Sequence, residues 1–258
     1  MENKIQLMSY VGNLETYESH KEYSKAEELI EKGLQEAKDL GDYMGELALR
    51  NEAMTYYKRR ENAPKALENA DAAVAIINNP ALNTQQGKST ISMNAASIYA
   101  AFGKKEEALF LYVQAVELYE SFFEKDDPRL ANIYNNIALS MAKLGEYGAA
   151  LELYEKALAI ISFKSDGELE QALTHINIAC MFQEQYQGTK PELIEERVNT
   201  VRHLLSKKDL VHDSYYATVC QKCAGALDFL GYKDLAQNYL NQAGVIFKEE
   251  ARKAKKNY

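Results

Sequence analysis

Along most of the chain, apolar residues recur at intervals of three and four. Tyr134, Ile137, Ala138 and Met141 stand at i, i+3, i+4 and i+7, which is one stripe of a helix. Gly145 breaks that pattern, as a glycine does at a left-handed helix end. Tyr147, Ala150, Leu151, Tyr154, Ala157 and Leu158 then form a second stripe. The two stripes predict a helical hairpin with small residues where the helices approach.

The hairpin repeats. Forty-two residues earlier, Ala96, Tyr99, Gly103, Ala108, Tyr112 and Ala115 occupy the equivalent places. Ala224, Leu227, Gly231, Ala236, Leu240 and Ala243 repeat them near the C-terminus, and Met54, Tyr57, Ala66, Ala70 and Ala73 do so without the turn glycine. A weaker copy holds Leu14, Tyr17, Tyr23, Ala26, Ile30 and Gly33. The most divergent one places Ala179 and Phe182 on its first helix and Ile194, Val198 and Val201 on its second. The residues opening the second helices are Ala26, Ala66, Ala108, Ala150, Ile194 and Ala236, spaced by 40, 42, 42, 44 and 42. Six units of about 42 residues follow, over 7–44, 47–86, 89–128, 131–166, 169–211 and 214–250, as a single domain.

Composition agrees. Only 4 prolines and 13 glycines occur in 258 residues, too few turn signals for a β-sandwich or barrel. Pro64 and Pro191 open second helices, where a missing N–H costs nothing, and Pro80 and Pro128 lie between repeats.

The aromatic, small, Gly, Tyr, Ala, Tyr, Ala order of 134–160 resembles the tetratricopeptide repeat family. The 42-residue period is similar to the longer variant found in kinesin light chains and bacterial Rap-type peptide receptors. The resemblance implies an all-α, right-handed superhelical solenoid of antiparallel helix pairs, with first helices lining a concave groove. The chain enters a repeat-like hairpin at its start, so the N-terminal effector bundle or DNA-binding domain of the Rap class is not expected in it.

The groove-facing stripe implied by the resemblance is Asn132, Asn136, Leu139 and Lys143 in the clearest unit. It is Thr90, Asn94, Ser97 and Ala101 one unit earlier, and Leu173, Asn177, Cys180 and Glu184 one unit later. Asn94, Asn136 and Asn177 thus recur at one place, with Asn51 and Asn135 one position earlier in their units. Asparagine is a mediocre helix former, so its repetition mid-helix asks for a reason. Its amide offers donor and acceptor together and matches an extended peptide backbone. The alternative is that the asparagines interlock neighbouring helices. Further groove candidates are Glu52, Thr55, Lys58 and Arg59 in the second unit and Thr218, Gln221 and Lys222 in the last. The basic residues of the family's carboxylate clamp are missing from the third and fourth units except for Lys143, so a chaperone-tail receptor is not expected.

The net charge of −8 argues against nucleic acid or an anionic membrane as the main partner. The N-terminus shows no signal-peptide core, no run of 18 apolar residues occurs, and three cysteines fit a reducing compartment, so a cytoplasmic protein is expected. Catalytic signatures are not found. Gly87-Lys88-Ser89-Thr90 echoes a phosphate loop, but Leu82 stands where the first glycine belongs, so an inter-repeat loop with Ser89 or Thr90 near an N-cap is expected. Cys220 and Cys223 share a core stripe with Ala224 and Leu227, which favours packing over a metal or redox site. The histidines are scattered, and the carboxylates beside lysines, as in Glu152 and Lys156, read as solvated faces. The tyrosines read as core packing with a wet hydroxyl tip. The expectation is a non-enzymatic scaffold without cofactor or metal, binding a peptide or extended protein segment. A regulatory receptor for a short signalling peptide is the runner-up. The last helix turns strongly charged after Phe247, and is either a polar end cap or a homo-oligomer contact.

Overall fold

The computed structural model describes residues 4–80, 85–164 and 166–256. Among these residues it contains twelve α-helices: α1 (Leu7–Ser19), α2 (Tyr23–Leu40), α3 (Tyr43–Arg59), α4 (Ala63–Ile77), α5 (Gln85–Ala101), α6 (Lys105–Phe122), α7 (Pro128–Lys143), α8 (Tyr147–Ile161), α9 (Glu168–Tyr186), α10 (Pro191–Leu205), α11 (Ser214–Phe229) and α12 (Lys233–Lys256). They form six antiparallel pairs, a helical solenoid. The chain divides into two compact units, Met1–Phe122 and Phe123–Tyr258, of three hairpins each.

Local chemistry fixes the helix ends. Asp42, Asn62, Asp127 and Asp213 cap α3, α4, α7 and α11 by accepting from backbone N–H groups of the first turn. Gly103, Gly145 and Gly231 take φ of 81°, 82° and 87° at the hairpin turns, a conformation that glycine adopts without steric cost. In the first two hairpins the same turn falls to Lys21 (φ 59°) and Glu61 (φ 54°). Pro128 is the first residue of α7 and not part of a connector, because an N1 position does not need its N–H. Gly87–Thr90 also depart from expectation. They lie inside α5, with Ser89 buried, so they form neither a loop nor a cap. Leu82 lies outside the described residues.

Small residues let the paired helices close. Ala26, Ala66, Ala108 and Ala150 are fully buried, and Ile194 and Ala236 nearly so. Four and eleven positions after each of these come two more residues of the covered side. From Ile30 and Ala37 in α2 to Val198 and Leu205 in α10, they are at most 6% exposed in the first five hairpins. In the last hairpin the same positions are Leu240, 44% exposed, and Phe247, 38% exposed. The strongly charged part of α12 begins only after these two residues.

Tyr99, Tyr112, Tyr134 and Tyr154 are all core residues. The Tyr99 hydroxyl donates to Asp71 at 2.6 Å. Tyr154 corrects the expectation of a wet tip: its hydroxyl is buried without a hydrogen-bond partner, and burial pushes its ionisation well above the ordinary tyrosine range. An unsatisfied buried hydroxyl carries its full desolvation cost. Tyr154→Phe is therefore expected to raise stability by about 1 kcal/mol, read as a higher urea midpoint.

Candidate functional site

The residues singled out above lie on the first helices of the second to sixth hairpins, α3, α5, α7, α9 and α11. Asn51, Asn94, Asn135 and Asn177 are half-buried there, while Asn136, Lys143 and Lys222 are exposed. Within the N-terminal unit, Asn94 Nδ2 donates to Asn51 Oδ1 at 2.7 Å and joins α5 to α3. Within the C-terminal unit, Asn177 Nδ2 donates to Asn135 Oδ1 at 3.4 Å and joins α9 to α7. The one-position offset between the two asparagine sets thus has a geometric reason: each amide reaches its neighbour's partner residue.

These two pairs belong to a larger set of bridges between adjacent first helices. Arg59 Nη2 lies 2.6 Å from Glu18 Oε2, linking α3 to α1. Lys58 Nζ donates to Ser97 Oγ at 2.6 Å and to the Ser97 carbonyl at 3.3 Å, a second link between α3 and α5. The Tyr215 hydroxyl donates to Glu170 Oε1 at 3.1 Å, linking α11 to α9. Burial, then the Glu170 carboxylate, pushes the Tyr215 phenol up to about 12. The asparagines therefore interlock helices. Each amide pair uses one N–H and one lone pair, out of the two donors and two acceptor sites that every asparagine side chain carries.

Other polar groups lie in the interior. Glu46 and Arg50, one turn apart on α3, are each 7% exposed. Arg50 Nε and Nη2 donate to Glu46 Oε1 at 2.9 and 2.6 Å, and Nη1 donates to Asn69 Oδ1 on α4 at 3.2 Å. A pocket of about 250 Å³ between α2, α3 and α4 borders Arg50, Asn69 and Lys65. These charges are not the solvated faces expected of helix carboxylates. The signal was present in the sequence: Arg50 stands on the core stripe of Leu47, Met54 and Tyr57.

His175 on α9 also has partners. Arg197 Nη1 of α10 lies 3.1 Å from His175 Nδ1, and Arg197 Nη2 lies 2.9 Å from Glu155 Oε1 of α8. Since a guanidinium only donates, Nδ1 accepts and the ring is neutral. Burial, then the Arg197 charge, lowers the His175 pKa to about 4.

Cys220 and Cys223 are fully buried in α11, and burial raises both thiols, Cys223 to about 12. Protonated, buried thiols of this kind pack as small hydrophobes. Among the described residues, no group of three or more His, Cys, Asp or Glu is placed to hold a metal ion. No helix among them is long and apolar enough to cross a membrane.

The tetratricopeptide repeat family matches residues 89–162. The chain is 35% identical over 88 residues to a clustered mitochondria protein homolog of Lodderomyces elongisporus, and 33% identical over 82 residues to that of Candida albicans. These matches cover 34% and 32% of this chain but only 6% of each relative's length. Among solved structures, the nearly identical TPR-like repeats of a Podosopora anserina protein described as a kinesin light chain superpose with a TM-score of 0.56 at 19% identity, covering 79% of this chain and 95% of that one. The apo quorum sensor NprR from B. thuringiensis gives 0.53 at 17% identity, over 95% of this chain and 66% of NprR. NprR in complex with its cognate peptide NprX gives 0.51 at 16% identity, over 92% of this chain and 66% of NprR. The fold is thus tetratricopeptide-like and resembles the repeats of kinesin light chains.

Proposed function

We propose that the chain is a non-catalytic scaffold that binds a peptide or an extended protein segment along the first-helix faces. The observation that carries this reading is the recurrence of half-buried asparagines there, paired in register as Asn51 with Asn94 and Asn135 with Asn177. An amide fixed by one hydrogen bond to its neighbour is pre-oriented. Its remaining donor and acceptor capacity suits a backbone N–H and C=O. Exposed Asn136, Lys143 and Lys222 extend the polar face. The fold likeness to NprR, solved with its peptide NprX, supports a short peptide as one class of ligand.

A panel of unstructured peptides of about ten residues, titrated against the full chain by fluorescence anisotropy, tests this. Some members should bind, and the triple variant Asn94→Ala, Asn136→Ala, Asn177→Ala should lose at least about tenfold in affinity, about 1.4 kcal/mol. The variant also gives up two helix–helix hydrogen bonds, each contributing about 1 kcal/mol. Its circular dichroism and urea midpoint must therefore show it folded under the binding conditions. Unchanged affinity in a folded triple variant would sink the assignment of the first-helix face.

A further inference from the structure

The first and last helices differ in what they expose. At the N-terminal end, α1 presents Ser9, Asn13 and Thr16 to solvent. Forty residues on, the matching positions of α3 are Leu49, Ala53 and Tyr56, all buried, with the Tyr56 hydroxyl reaching the Tyr23 carbonyl of α2. The side of α1 that would meet a preceding hairpin is thus polar, as the cap of a repeat array should be. At the C-terminal end, Leu240 and Phe247 keep the apolar character of the covered positions.

The apolar stripe on α12 is longer than two residues, and all of it but the half-buried Gly244 is exposed. Leu240, Gly244, Phe247, Ala251 and Ala254 follow one another at intervals of 4, 3, 4 and 3. That is the spacing of a coiled-coil seam, flanking the core stripe of Ala236, Tyr239 and Ala243. Gly244 sits at the centre of the large residues, and a Cβ placed on it would meet nothing within 4 Å. α12 has 24 residues, against 15 to 18 for the other second helices.

We propose that this stripe is a two-fold interface between two copies of the chain, with the α12 helices packed antiparallel and crossing at Gly244. It continues, between molecules, the covered side that earlier second helices bury within the chain. A head-to-tail arrangement would set the apolar stripe against the polar α1 cap, whereas a two-fold sets it against itself. In the antiparallel register, Leu240 of each copy meets Phe247 of the other across the glycine gap. Charge selects the same direction. From Lys248 onward, α12 carries five Lys or Arg and two Glu, and its first half one Lys and one Asp. Antiparallel packing lays each basic end beside a neutral half, while parallel packing would lay two basic ends together. The stretch that the two-fold sets against itself, Leu240 to Phe247, is about 10 Å long at 1.5 Å per residue, less than a standard interface, so the dimer should be weak.

Sedimentation velocity of the full chain from about 1 to 200 μM should show a monomer–dimer equilibrium with Kd on the order of 10 μM. Leu240→Glu with Phe247→Glu should remain monomeric over the whole range while keeping the wild-type helical content. Gly244→Cys, incubated with oxidised glutathione, should form a disulfide-linked dimer. Asn238→Cys, on the opposite side of α12, should not. A monomeric wild type at every concentration overturns the proposal. So does a dimer that survives the double glutamate variant, or equal cross-linking at positions 238 and 244.

Discussion

Replacing Arg50 with alanine is expected to destabilise the N-terminal unit by about 3–5 kcal/mol, because Glu46 then keeps its charge in the interior with no cation beside it. The Glu46 and Arg50 side chains are 10% and 8% exposed, so water screens the pair poorly. Asn69 loses its donor as well, since its Oδ1 accepts from Arg50 Nη1. The neighbouring pocket of about 250 Å³ offers water a route to the stranded carboxylate, which favours the lower half of the range. The paired replacement Glu46→Leu with Arg50→Met removes both charges at similar volume. It should cost no more than about 1 kcal/mol beyond the lost Asn69 bond. Urea unfolding of the wild type, the single variant and the double variant separates the two cases. Equal losses in single and double variants would mean that the cost does not come from a stranded Glu46 charge.

The second large effect is a loss of stability on mild acidification, carried by His175. Its folded pKa is about 4 against 6.5 for the free side chain, so between these values the unfolded chain binds a proton that the folded chain excludes. The stabilising contribution is complete above pH 6.5 and declines as pH falls toward 4. Geometry gives the reason: a proton on Nδ1 would face the Arg197 guanidinium at 3.1 Å. Allowing for partial solvent screening, the wild type should lose about 1–2 kcal/mol between pH 7 and pH 5. His175→Gln cannot protonate, and its amide oxygen can still accept from Arg197. In that variant the urea midpoint should be nearly flat over the same interval. A wild-type slope retained in the variant would assign the pH response to other groups.

Much of the architecture is readable from period and punctuation. The opening residues of the second helices, the turn glycines and the alternation of core stripes all mark hairpins in the bare order of residues. The reason is that each hairpin solves the same local packing problem with the same small and aromatic residues. What escaped were interactions whose partners lie on neighbouring helices and hairpins. The periodicity of α3 places Arg50 on the core stripe but does not mark Glu46 and Asn69 as the partners to which it turns. The asparagines are found by recurrence, but their pairing depends on a one-residue offset that shows only when first helices are placed side by side. The engagement of Arg59 with Glu18 likewise joins residues 41 apart. Lys21 and Glu61 fill left-handed turn positions that glycine occupies in later hairpins, so their turns carry no compositional mark.

The bridges between first helices have a bearing on how the chain is made. Glu18 to Arg59, Asn51 to Asn94, Asn135 to Asn177 and Glu170 to Tyr215 close over 41, 43, 42 and 45 residues. A nascent chain needs only one more hairpin beyond the ribosome before the previous one can lock, and none of these bonds waits for the far end of the polypeptide. Loop closure at such separations is entropically mild and fast. Folding can then keep pace with synthesis, one hairpin at a time in chain order, which keeps the stock of unpaired apolar helix faces small.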